Sequence, residues 1–161
     1  MPNGRNIHAI WRILQVAPMS AISVASLLGG PSVVKHKART THDWIKIVRR
    51  GLPAMAIEAL ARTVQLTQAE LGATLAIPER TLLRRKKEGT LSTEESAKLV
   101  RVARVMHRAI EVFEDRAAAL DWLKEPNHAL DHARPLSLLD TDLGAEMVLA
   151  TLGRIEHGVF A

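Results

Sequence analysis

The sequence predicts an all-α protein, a bundle of short helices around one long one. Three observations point there. No stretch of useful length alternates apolar and polar residues, so strands are not expected. From His42 nearly to the end, apolar residues recur every three or four positions. Cap signatures punctuate that pattern, with Thr67 and Glu70 in "TQAE" and Ser92 and Glu95 in "STEE" each spelling a capping box. The palette agrees: 47% of the 161 residues are hydrophobic but only 3% aromatic, with no Tyr, which leaves an Ala- and Leu-rich core suited to helices.

Taken in order, residues 1–40 read as a partly flexible arm. A short helix over Ile7–Val16 is followed by the Gly-, Ser- and Thr-rich "VASLLGGPSVVKHKARTTHD", read as a loop or loosely ordered segment. A helix around Trp44–Arg50 stops at Gly51. Pro53 is expected to open the next, "PAMAIEALARTV", where its missing N–H goes unmissed. Thr67 caps Gln68–Leu75, "AIP" breaks the chain, and Glu79–Lys87 follows, closed by Gly89. Ser92 opens a long helix to about Phe113 whose apolar line is Leu99, Val102, Ala103, Met106, Ala109, Ile110 and Phe113. Asp115 caps "RAAALDWLK", which Pro126 ends. "PNHALDHARPLSLLD" is irregular, and Thr141 caps a last helix to about His157, ended by Gly158.

Composition sets outer limits. The chain suits one domain or two very small ones. Without cysteine there is no disulfide or thiolate metal site, and a reducing cytoplasm is the natural home. Arg12 and Pro18 interrupt the apolar N-terminal stretch, so neither a signal peptide nor a membrane span is expected. Charge is divided sharply. Residues 1–108 carry 18 Lys+Arg against 7 Asp+Glu, and residues 109–161 carry 4 against 10. One half suits a polyanion that the other would repel. The expected division is therefore 1–40, an arm; 41–108, a nucleic-acid-binding part; and 109–161, a second functional part.

Enzyme chemistry is not expected. No Gly-rich phosphate loop or nucleophile elbow occurs, and the paired acids Glu94–Glu95 and Glu114–Asp115 lie at helix ends, where capping explains them. His128 and His132 have helical metal-ligand spacing, but they lie between Pro126 and Pro135 with no third ligand cluster, so no metal or cofactor is assigned. Trp44 is read as core. Trp122 reads as core beside Leu123, or else as an interface anchor.

The segment "LTQAELGATLAIPERTLLRRKKEG" has helix-turn-helix spacing. Leu71, Leu75 and Leu82 face inward and Ile77 plugs the turn, so the second helix should protrude. Such a helix enters the major groove of DNA with its first residues towards the bases. Glu79, Arg80 and Thr81 are the base-edge candidates, Arg80 as a bidentate guanine reader and Thr81 equally as a structural residue. Arg84, Arg85, Lys86 and Lys87 are phosphate candidates, as is Gln68 at the start of the first helix. Ala76 departs from the pattern, because that turn usually places Gly in a left-handed conformation.

"LLGG", "RRGLPAMAIEALA", "IPERTLLRRKKEGTLSTEES", "LDWLKEPNHAL", "PLSLLDTDLGAEMV" and "LGRIEHGV" occur in that order. Together they resemble the Xre/MbcA/ParS family of antitoxins, over roughly Val24 to the C-terminus. The resemblance implies a partner, a RES-domain toxin encoded alongside that consumes NAD⁺ or uses it for ADP-ribosyl transfer. It also implies two jobs: binding of promoter (operator) DNA by the helix-turn-helix part to repress the operon, and coverage of the toxin's active site by the C-terminal part. The toxin-binding candidates are Arg154, Glu156, His157, Gly158 and Ala161, with Ile155 and Val159 closing the core on the opposite reading. A homodimer is expected, since such motifs usually read paired half-sites. The alternative is a stand-alone helix-turn-helix transcriptional regulator whose C-terminal part dimerises or binds an effector.

Overall fold

The computed structural model describes residues 21–159, without the side chains of residues 21–23, so the expected helix over Ile7–Val16 lies outside the described residues. Those residues are helical, with eight helices in chain order: α1 (Ala21–Leu27), α2 (Thr41–Arg50), α3 (Met55–Thr63), α4 (Gln68–Thr74), α5 (Glu79–Glu88), α6 (Thr93–Phe113), α7 (Arg116–Lys124) and α8 (Asp142–Glu156). Short 3-10 turns fall at Gly30–Ser32, His128–Leu130 and Pro135–Leu138. The fold is all-α, as the periodicity predicts.

Helix α6 is the axle. Leu99, Val102, Ala103, Val105 and Ala109 are wholly buried along it, and α1, α2, α7 and α8 pack around it. Its start is fixed by the expected box: the Glu95 N–H donates to Ser92 Oγ at 3.1 Å, and the Ser92 N–H donates to Glu95 Oε2 at 2.8 Å. At 21 residues it spans about 31 Å.

Two expectations need correction near the N-terminus. The segment read as loose is packed: Val24, Leu27, Leu28, Val33, Val34 and Ala38 are all buried in the main core. Its glycines and Pro31 form a 3-10 turn, not a flexible stretch, because the flanking apolar pairs gain more from burial than the turn costs. Pro53 does not open α3, which begins at Met55. It lies instead in an antiparallel bridge with Thr90, where the Ala54 N–H donates to the Gly89 carbonyl (3.0 Å) and the Leu91 N–H to the Leu52 carbonyl (2.8 Å). The buried Ser96 hydroxyl takes up the Leu52 N–H at 2.8 Å. The turn before α3 is thereby tied to the turn after α5. Helix α2 starts earlier than Trp44, through a capping box of Thr40 and Asp43.

Helix ends repeat one device. After α4 the Ala76 N–H donates to the Ala73 carbonyl and the Ile77 N–H to the Gly72 carbonyl, both at 3.0 Å. This is a Schellman motif with Ala76 in the left-handed region at φ 50° and Ile77 buried just beyond it. The plug role read for Ile77 thus has a backbone cause. Gln65 does the same after α3, and Gly158 after α8.

In the C-terminal half, Asp115 caps α7 and Thr141 caps α8 as expected. Leu123 is buried, while Trp122 is half-buried against Phe113 with ring centroids 5.7 Å apart. The rings of His128 and His132 meet edge to face.

Candidate DNA-binding and toxin-binding faces

Helices α4 and α5 meet closely. Gly72 is buried at the crossing, and a methyl group there would stand 3.0 Å from Leu82 Cδ1. Leu71, Leu75, Ile77 and Leu82 are buried together, which leaves the rest of α5 projecting. Gly89, left-handed at φ 84°, stops α5, its N–H donating to the Arg85 carbonyl at 2.8 Å.

The basic residues of α5 divide into two sets. Arg85 is turned inward: its Nε donates to Glu95 Oε2 at 2.7 Å and Oε1 at 3.0 Å, and its Nη1 to Glu88 at 2.5 Å. These carboxylates raise the Arg85 pKa further. Lys86 bonds Glu58 at 2.7 Å and Gln68 Oε1 at 2.9 Å, so Gln68 is tethered to α5 with its NH₂ group remaining as a donor. Arg84 keeps a long contact of 3.7 Å with Glu88 and is mostly exposed. The side chains of Arg80 and Lys87 are exposed and make no ion pair or hydrogen bond among the described residues; Glu79 is exposed and Thr81 half-buried. The helix therefore has a braced side (Leu82, Arg85, Lys86) and a presented side (Arg80, Arg84, Lys87).

At the other end, α8 is bound to α6 by two arginines. Arg101 Nη1 donates to Asp142 at 2.5 Å and its Nη2 to the Asp140 carbonyl at 3.2 Å; Arg108 Nη2 donates to Glu156. The charge split read along the chain is therefore partly cancelled in space, since cations of the basic half neutralise acids of the acidic half. Glu156 is held by Arg108 within the chain. Arg154 is exposed, with Nη2 donating to Thr151 Oγ1 at 3.0 Å. His157 leaves 74% of its side chain exposed. The Gly158 N–H donates to the Ile155 carbonyl and the Val159 N–H to the Arg154 carbonyl, so the tip turns off the helix in a set direction. Ile155 is half-buried and Val159 exposed. Ala161 lies outside the described residues.

Two residues escaped the sequence reading. Leu143 and Met147 are 75% and 50% exposed, four apart on the outer face of α8. With Ala150 and Arg154 they form one stripe that runs towards the tip.

Comparison with known proteins gives this division a name. Residues 43–104 match the antitoxin Xre-like helix-turn-helix domain, and residues 108–158 match the antitoxin Xre/MbcA/ParS C-terminal toxin-binding domain. The chain is 35% identical over 116 residues to "Antitoxin Xre" of Yersinia enterocolitica serotype O:8 / biotype 1B, covering 71% of this chain and 78% of that one. The chain belongs to the Xre antitoxin family. A second antitoxin Xre, from Photorhabdus laumondii subsp. laumondii, is 32% identical over 115 residues, 70% of this chain and 78% of that one. The presented side of α5 thus lies in the matched helix-turn-helix domain of this antitoxin, and the α8 stripe and tip lie in its matched toxin-binding domain. Among the described residues no helix is long and apolar enough to cross a membrane.

Proposed function

We propose that this antitoxin neutralises a RES-domain toxin that consumes NAD⁺ or transfers ADP-ribose, and represses its own operon by binding promoter DNA as a homodimer. The functional division falls near residue 108. The observation that carries the toxin-directed part is the tip of α8: an exposed arginine and histidine held in a fixed turn, at the end of a helix with Leu143 and Met147 exposed along one stripe.

Leu143 and Met147 dock on the toxin and aim residues 154–161 into its cleft. Arg154 and His157 meet the polar groups that bind the dinucleotide, Gly158 lets the chain turn, and Ala161 follows. Glu156 keeps α8 on α6 through Arg108. On the DNA side, Arg80 addresses a base edge with Glu79 and Thr81 beside it, Arg84 and Lys87 bond phosphates, and the Gln68 amide meets a phosphate next to them. Arg85 and Lys86 act mainly by holding α5 at its angle.

The test is co-expression with the RES-domain protein encoded alongside. The pair should co-purify at high salt. A chain lacking residues 154–161 should still bind the promoter yet no longer protect cells. Full protection by that truncation would rule out the plug, and dissociation of the complex at high salt would remove the RES partner.

A further inference from the structure

We propose that Leu83 reads the 5-methyl group of a thymine in the major groove, making it a specificity-determining residue of the DNA-binding face. The inference rests on the DNA-binding reading of α4 and α5 and adds to it the identity of one base contact.

On a helix turning about 100° per residue, Arg80, Leu83, Arg84 and Lys87 fall within an arc of roughly 100° turned away from the buried Leu82, with Leu83 at its nearer edge. All four are exposed. Leu83, 54% exposed, is thus an apolar side chain set among three cations on the presented side of α5. It also lines a cleft with Gln68, Gly72, Ala73 and Glu79, between the start of α4 and the start of α5.

The surroundings select the occupant. An apolar protein surface laid on Leu83 would strip water from Arg80, Arg84 and Lys87 without pairing them, which is costly. A duplex offers phosphates to those cations, acceptor edges of guanine to Arg80, and one apolar group on the floor of its major groove, the thymine methyl. A guanine read by Arg80 would then lie within a few steps of a thymine read by Leu83.

The experiment uses the full-length protein and duplexes it selects from a random pool. Each thymine of a selected duplex is replaced in turn by deoxyuridine, which removes the methyl group alone. One position in each half-site should then bind about four-fold more weakly, the effect of leaving one methyl unburied. Leu83→Ala, altering an exposed side chain, should keep the wild-type Tm and bind the thymine and uracil duplexes equally. Insensitivity of the wild-type protein to uracil at every position would overturn the proposal, as would a thymine preference that survives in Leu83→Ala. Selection of no duplex at all would instead overturn the DNA-binding reading on which the proposal rests.

Discussion

Arg85 and Glu95 clamp α5 to the first turn of α6. The Arg85 Nε sits 2.7 and 3.0 Å from the two carboxylate oxygens, and the same carboxylate accepts the Ser92 N–H that begins α6. Glu95 is 8% exposed, so this is a sheltered contact joining the projecting helix to the core. Glu95→Ala removes the acceptor of both the Ser92 N–H and the Arg85 Nε, leaving Arg85 only Glu88. It should cost about 1–3 kcal/mol in chemical denaturation and weaken DNA binding, although Glu95 faces away from the presented side. Glu95→Gln, which keeps one acceptor, should be milder.

The same carboxylate sets an acid limit. Burial pushes the Glu95 pKa up, but the Ser92 N–H and the Arg85 guanidinium outweigh it and the net shift is downward. Glu58 shifts down beside Lys86, Glu70 beside the Thr67 N–H, and Asp43 beside the N–H groups of Arg39 and Thr40. A carboxyl whose folded pKa is depressed stabilises fully above its unfolded value and stops doing so as pH falls through the folded one. The Tm should therefore be level near neutrality and drop below about pH 4.5, the ordinary Glu value. A pH series of melts in Glu95→Gln should show a shallower drop.

Salt dependence separates the two sides of α5. Every DNA phosphate left unneutralised should lower the slope of log affinity against log salt by about 0.9. Arg84→Ala and Lys87→Ala should each do so in an anisotropy titration over a salt series. Arg85→Ala should lower stability while leaving the slope nearly unchanged.

Ala76 holds a left-handed conformation that costs a non-glycine residue about 1 kcal/mol. Ala76→Gly relieves that strain but gives the unfolded chain more freedom to lose. The net should be a gain of about 0.5 kcal/mol, seen as a higher denaturation midpoint, with the turn between α4 and α5 unchanged.

Leu143→Ser with Met147→Ser changes two exposed side chains. Stability of the free antitoxin should move by less than about 0.5 kcal/mol for each. Affinity for the co-expressed toxin should fall at least about ten-fold, since burying two such apolar side chains is worth more than the ~1.4 kcal/mol that factor represents. Calorimetry on the separated proteins would read both.

Features written within a few residues were legible in the sequence. Thr67 with Glu70 and Ser92 with Glu95 announce helix starts because both partners lie in one turn, and Leu71, Leu75, Ile77 and Leu82 define the crossing of α4 and α5. The packed segment after Val24 was obscured by Gly29, Gly30 and Pro31, although the pairs Leu27–Leu28 and Val33–Val34 were the signal of burial. Contacts reaching across the chain were not legible. Nothing local says that Arg85 turns towards a residue ten positions on, or that Arg101 and Arg108 cross to Asp142 and Glu156. Leu143 and Met147 were missed because α8 carries apolar residues on several sides, and periodicity alone cannot tell which side stays uncovered.

The two matched family segments end and begin at residues 104 and 108, inside the unbroken helix α6. No hinge separates the ends, so the angle between the presented side of α5 and the α8 tip is set by helical phase. One residue inserted between Arg104 and Arg108 would swing the far end by about 100° and lengthen the shaft by about 1.5 Å. Arg101 and Arg108 lie on either side of that point and both hold α8, so the insertion would also part α8 from one of them; the long helix is a protractor as much as a tether.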